Sequence, residues 1–198
     1  MIYLKNPGLI DLNTIKIMGI NIKEFKDSIG IFGTGLKYAI ATFLRHNIDF
    51  KMYRGNDEFL FFTESKTIRD EEINICYMQG PHDRVELNFT ENLGLNWELW
   101  QAYREIHANC LDEKGEIFLN EKPSFNENST IFSIDLDINP NDIFLNKDDE
   151  TCIFCNENIE IYEGQSNYIF YQSIRARNLI KPSLYTYNIK KTMQFNRR

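Results

Sequence analysis

The chain has 198 residues, 42% hydrophobic and 14% aromatic, enough to bury one sizeable core or two small ones. A net charge of -7 and a pI near 5.1 argue against a general nucleic-acid binder, which would carry a basic face. No stretch is long and apolar enough to span a membrane, and Met1-Ile2-Tyr3-Leu4-Lys5-Asn6 is too short and polar for a signal peptide, so the expected location is the cytoplasm.

Along the chain, the first strong signal is Ile29-Gly30-Ile31-Phe32-Gly33-Thr34-Gly35-Leu36-Lys37-Tyr38-Ala39, a glycine-rich turn running into a helix expected over 37–46. Gly30, Gly33 and Gly35 permit backbone angles closed to other residues, and the first helical amides point outward, where the helix dipole favours an anion. Such a turn suits phosphate, and it equally suits a helix that must pack closely. It is neither a Walker loop, which needs Gly-Lys-Ser/Thr, nor a dinucleotide fingerprint, which needs a preceding strand and Gly-x-Gly-x-x-Gly. Strand patterns rich in aromatic and β-branched residues follow over 48–53, 58–63, 73–78 and 84–89, with turns at 54–57, 69–71 and 80–82.

A second helix is expected from Asn96 as N-cap, with Glu98 in its first turn and Gly115 just past its end. Leu99, Trp100, Tyr103, Ile106, His107, Cys110 and Leu111 share one side at helical spacing, which is the expected core face. Glu98, Gln101, Glu105, Asn109 and Asp112 share the other, as a solvated surface or as a site. Asn109 lies four residues after Glu105 and Asp112 three further on, so carboxylate, amide and carboxylate stack along one ridge. That set suits a magnesium nucleotide: a carboxylate orients and deprotonates water, and an amide oxygen ligates magnesium beside phosphates.

Strand patterns at 116–119 and 130–136 flank a polar loop over 120–128. Further on, 159–162 and 168–171 form a hairpin pattern across 163–167, followed by strand-like stretches at 173–177 and 183–188 and a basic end at 192–198. Two principal helices against an antiparallel or mixed sheet make an α+β chain, expected as one domain over 1–138 with a β-rich extension over 139–198 packed on it. Cys152-Ile153-Phe154-Cys155 has no second pair at zinc-knuckle spacing, so Cys76, Cys110, Cys152 and Cys155 are expected as reduced, buried thiols. None of His46, His82 and His107 has a nucleophile beside it in the pattern, so a hydrolytic triad is unsupported.

Glu105-Ile106-His107-Ala108-Asn109-Cys110-Leu111-Asp112 resembles the Glu-x-x-x-Asn-x-x-Asp signature of the GHKL superfamily of gyrase, heat-shock chaperone, histidine kinase and MutL ATPases. Phe32-Gly33-Thr34-Gly35-Leu36-Lys37-Tyr38-Ala39 resembles that superfamily's second glycine box. The order is inverted, because the glycine box here precedes the Glu/Asn helix, and a circular permutation accounts for it. Asn6-Pro7-Gly8-Leu9-Ile10-Asp11 then stands as the first glycine box and 17–23 as the ATP lid. In that box the family's adenine-binding Asp falls on Asn6, whose amide oxygen still accepts a hydrogen bond, and the second glycine is absent. Small, mostly phage-encoded proteins described only as ATP-binding are similar over roughly 5–135.

The resemblance implies a two-layer sandwich of the Bergerat type, with a mixed or antiparallel sheet and helices on one face. It implies ATP and Mg2+ as ligands, with Glu105 orienting water and Asn109 on magnesium. Gly30, Phe32, Gly33, Thr34, Gly35, Leu36 and Lys37 would surround the phosphates, with Lys23 in the lid, Asn6, Gly8 and Asp11 near the base, and Asp112 supporting the site. The expected function is a magnesium-dependent ATP-binding switch, with slow ATP hydrolysis a separate question. Two rival classes stand beside it. One is a non-catalytic interaction module that keeps the fold to engage a protein partner, and the other is a kinase passing the γ-phosphate to a protein, for which no acceptor histidine context is visible.

Overall fold

The computed structural model describes residues 1–18, 34–138, 143–147 and 150–191. The chain is α+β and divides into two compact units, Met1–Asp137 and Ile138–Arg198.

Among its described residues the first unit has seven strands: β1 (Ile2–Pro7), β2 (Phe50–Arg54), β3 (Asp57–Ile68), β4 (Glu71–Gln79), β5 (Arg84–Thr90), β6 (Glu116–Leu119) and β7 (Ser129–Ile134). They form one sheet in the order β5-β4-β3-β2-β7-β1-β6, and every pairing is antiparallel. Short local turns make that possible. β3 and β4 are joined by Arg69 and Asp70 at φ 51° and 66°, the left-handed pair that suits the twist of a two-residue hairpin. β7 lies between β1 and β2 and is buried along its whole length, so its sequence is a continuous apolar and small-polar run rather than an alternating one.

Among the described residues, three helices accompany this sheet: α1 (Leu12–Lys16), α2 (Gly35–Arg45) and α3 (Leu99–Asp112). On α2, Ala39, Ile40 and Phe43 are fully buried, and Phe43 joins a run of rings with Phe50 at 5.2 Å, which in turn meets Phe61 at 5.1 Å and Phe132 at 5.7 Å. α2 and α3 pack on each other. The Arg45 guanidinium at the end of α2 donates to Gly94 O at 3.1 Å and to Leu93 O and Trp97 O at 3.4 Å, and the Tyr38 and Trp97 rings meet edge-on at 5.1 Å. These contacts fix the approach of the chain to α3.

The start of α3 differs from expectation. Its N-cap is Glu98 rather than Asn96, because Gln101 reaches back to accept from Glu98 N–H at 2.9 Å and closes a capping box. The buried stripe is also rotated. Ala102, Tyr103, Ile106, His107, Ala108 and Cys110 are buried, whereas Leu111 is 44% exposed and Leu99 and Trp100 are half-buried. Two alanines let α3 lie close to its neighbours and turn that face inward. The exit from α3 is a Schellman turn in which Lys114, at φ 57°, supplies the left-handed residue and Gly115 N–H returns to Cys110 O at 2.8 Å. Gly115 is required for space: a Cβ there would sit 2.6 Å from both Cys110 Sγ and Lys5 O.

The second unit carries β8 (Cys152–Cys155), β9 (Ile159–Tyr171) and β10 (Ile174–Ile189) in the order β10-β9-β8, all antiparallel. The expected hairpin across 163–167 is corrected here. β9 continues through that segment, with Gly164 at φ 106°, and the turn falls on Gln172 and Ser173 at φ 50° and 67°. The two stretches expected at 173–177 and 183–188 are one strand, and Pro182 is tolerated because it falls where pairing with β9 is interrupted, between Asn178 and Ser183. Expected burial of all four thiols is also corrected: Cys76 and Cys110 are buried, but Cys152 and Cys155 are exposed.

Candidate functional site

Segment 29–39 enters the described residues at Thr34, so Lys23, Gly30, Phe32 and Gly33 lie outside them, as does most of the expected lid. Thr34 is the N-cap of α2, its carbonyl accepting from the amides of Lys37 and Tyr38, both at 3.1 Å. Gly35 is the first helical residue and is buried, and Leu36 beside it is half-buried. Lys37 is fully buried and its ammonium donates to Thr14 O of α1 at 2.5 Å, while desolvation lowers its pKa below the ordinary lysine value.

Gly35 and Glu105 are in direct contact although 70 positions separate them. A Cβ built on Gly35 would lie 2.7 Å from Glu105 Cγ and closer still to the carboxylate. The helix N-terminus therefore meets a carboxylate from α3 across a gap that only a glycine leaves open. Glu105, Asn109 and Asp112 are each half-buried, so the polar ridge of α3 is partly covered rather than fully solvated.

The other end of α3 meets β1. Asn6, 4% exposed, donates from Nδ2 to Glu113 Oε2 at 2.6 Å. Its Oδ1 is buried and has no hydrogen-bond partner, while a Cβ on Gly115 would come within 2.7 Å of that oxygen. Such an orphaned acceptor is costly, of the order of 1–3 kcal/mol, so it marks a place where a donor is missing. Asn6 and Gly115 also border a concavity of about 420 Å³ with Lys5, Pro7, Asn128 and Ser129. From Glu105 to Glu113, the C-cap of α3, is eight residues, about 12 Å along the helix axis.

Gly8, at φ 83°, turns the chain out of β1, and its carbonyl accepts from Thr130 Oγ1 at 3.0 Å while Ile10 N–H donates back to that hydroxyl at 2.9 Å. Asp11 is exposed and caps α1, accepting from Asn13 N–H at 2.9 Å, so it serves the backbone that follows the Asn6 end. Glu113 and Thr130 were missed by sequence reasoning. Thr130 had a legible signal, because it is the residue paired with Asn6 once β1 and β7 are aligned, but Glu113 had none: it is the C-cap of α3, and its partner sits 107 positions away.

Asn109 offers one amide oxygen, and among the described residues no group of three or more His, Cys, Asp and Glu side chains could hold a metal ion. Magnesium at Asn109 would therefore draw its remaining ligands from phosphate oxygens and water, its usual habit in nucleotide sites. His107 stays neutral near pH 7, burial bringing its pKa down to about 4, and its Nδ1 lies 3.1 Å from the Tyr103 hydroxyl. It is a core residue rather than a phosphate acceptor. Among the described residues no helix is long and apolar enough to cross a membrane. Compared with known proteins, the chain matches no protein-family model, no curated protein and no solved structure.

Proposed function

We propose that the first unit is a magnesium-dependent ATP-binding domain of the GHKL type with its motif order permuted. The contact of Gly35 with Glu105 carries this reading, since two motifs far apart in sequence meet where the proposal needs phosphate and water to meet. The orphaned Asn6 Oδ1 supports it from the opposite end: an exocyclic purine amino group is a donor of the kind that oxygen lacks. In this arrangement the amides opening α2 face the phosphates, Glu105 orients the attacking water, Asn109 ligates magnesium, and Asn6 with Glu113 reads the base.

The departure at Asn6 also has an electrostatic rationale. Glu113 Oε2 lies 2.6 Å from Asn6 Nδ2, so an Asp at position 6 would set two carboxylates against each other, and one would have to hold a proton. An amide at this position keeps an acceptor for the base and donates to Glu113.

Thermal shift with ATP, ADP and GTP, each with and without magnesium, tests the proposal. ATP with magnesium raises the melting temperature, because a ligand that binds only the folded state stabilises it by mass action. No shift at millimolar ATP overturns the nucleotide reading and favours the interaction module, and phosphate release then separates a hydrolase from a switch.

A further inference from the structure

The exposed cysteines of β8 belong to the second unit and have a geometry of their own. Cys152 pairs with Tyr162 and Cys155 with Glu160, with an irregularity in the register between Cys152 and Phe154. Residues three apart in a regular strand point to opposite faces. The extra residue in this bulge cancels that alternation: Tyr162 and Glu160 are two apart on β9 and share a face, with the Tyr162 hydroxyl donating to Glu160 Oε2 at 2.9 Å. Cys152 and Cys155 therefore stand on one face, two pairing steps apart. Their partners on β9 are about 6.6 Å apart along the strand, and bridged cysteines need Cα atoms roughly 4.4–6.8 Å apart.

β8 is an edge strand and both thiols are exposed, so a small reagent reaches them. They differ in one respect. Lys190 Nζ lies 3.6 Å from Cys155 Sγ, where an ammonium steadies negative charge developing on that sulfur. The same ammonium sits 3.4 Å from Glu160 Oε1, which holds it in place.

From this geometry we infer that Cys152 and Cys155 form a redox-active dithiol, with Cys155 as the attacking thiol and Cys152 as the resolving one. The oxidant is a low-molecular-weight disulfide. Cys155 gives its proton to solvent, its sulfur attacks one sulfur of the reagent, and the reagent's S–S bond breaks, leaving a mixed disulfide and one free thiolate. Cys152 in turn loses its proton and attacks Cys155 Sγ, expelling the second thiolate. Two protein thiols are oxidised by two electrons to one disulfide, and the reagent is reduced to two thiols that take up the two protons. Thiol–disulfide exchange runs through the same steps in either direction, which makes the site reversible.

The reduced full-length chain, incubated with oxidised glutathione and followed by intact-mass and peptide mass spectrometry, tests this. The parent protein ends with a Cys152–Cys155 bridge and no retained glutathione. Cys152→Ser accumulates a stable adduct on Cys155, whereas Cys155→Ser reacts more slowly, at Cys152. Lys190→Met slows the first step about fivefold, the effect of one screened charge at such a distance, and Lys190→Arg restores it. Buried Cys76 and Cys110, both pushed up to about 12 by desolvation, stay unmodified while the fold is intact and so report on folding in every variant. Separate adducts on both exposed cysteines of the parent, or faster attack by Cys152 than by Cys155, overturns the inference.

Discussion

Asn6 in the first unit and Glu160 in the second are both buried polar side chains, and their surroundings are opposite. Glu160 is closed: its carboxylate accepts from the Tyr162 hydroxyl at 2.9 Å and Asn188 Nδ2 at 2.7 Å, with Lys147 Nζ at 2.8 Å and Lys190 Nζ at 3.4 Å. Burial alone would raise its pKa, but hydrogen bonds from Lys147, Asn188 and Tyr162 outweigh that and bring it down to about 2. Asn6 is open, with Nδ2 engaged by Glu113 and Oδ1 engaged by nothing. A saturated buried group holds a fold together, whereas in the proposed function the unsaturated oxygen of Asn6, beside a concavity, is the acceptor offered to the ligand.

The largest expected effect tests whether the open site does chemistry. Glu105→Ala keeps ATP affinity and lowers phosphate release by about two to four orders of magnitude, the usual cost of losing a general base. Gly35→Ala should reproduce that loss without touching the carboxylate chemically, because the new methyl takes the space that the Glu105 side chain occupies and forces it to swing out. Calorimetry with a phosphate-release assay checks both. Unchanged turnover in the two variants would return the α3 ridge to ordinary surface.

Next in size are two acid-sensitive groups that titrate in different pH windows. His107, with its pKa down to about 4 from an ordinary 6.5, is neutral in the folded state, so the unfolded chain binds the extra proton. Stability therefore falls as pH drops from about 6.5 to about 4, by roughly 3 kcal/mol, and is flat below. Glu160 acts lower: its stabilisation is full above about 4.5 and is lost as pH falls towards 2. Its lysine partners are half-exposed, so salt weakens this second contribution more than the first. Chemical denaturation across pH separates them, since His107→Phe removes the upper window and Glu160→Gln the lower one. A first unit insensitive between pH 6.5 and 4 would contradict the buried neutral histidine.

The sequence made the strands β2 to β5 legible because aromatic and β-branched runs alternate with Gly, Asn and Asp turns. It failed where chemistry outside the local pattern decided the outcome. Asn96 has the residue type of an N-cap, yet Trp97 is committed to Tyr38 and the helix starts two residues later. Gly164-Gln165-Ser166-Asn167 has turn composition, but both flanking segments pair with β10, and the turn moved to Gln172-Ser173. For the candidate site, the ridge of α3 and the start of α2 were each visible as spacing. Their meeting through Gly35 was not, since a contact across 70 positions leaves no mark in one sequence.

The smallest expected effect bears on Asn6 itself. Asn6→Ala removes the orphaned oxygen together with the bond to Glu113, two changes of opposite sign, so stability should move by less than about 1 kcal/mol. Affinity for ATP should nevertheless fall about tenfold, the value of one hydrogen bond to the base. Asn6→Asp has the opposite profile. It restores an acceptor for the purine, but at 2.6 Å from Glu113 the new carboxylate meets like charge, so the variant loses stability near neutral pH and regains it as one of the pair takes up a proton. Adding Glu113→Gln to Asn6→Asp removes the repulsion and should recover stability while ATP affinity is kept. If Asn6→Ala leaves affinity unchanged, the orphaned oxygen is a packing cost of the first unit and the distinction from Glu160 carries no functional meaning.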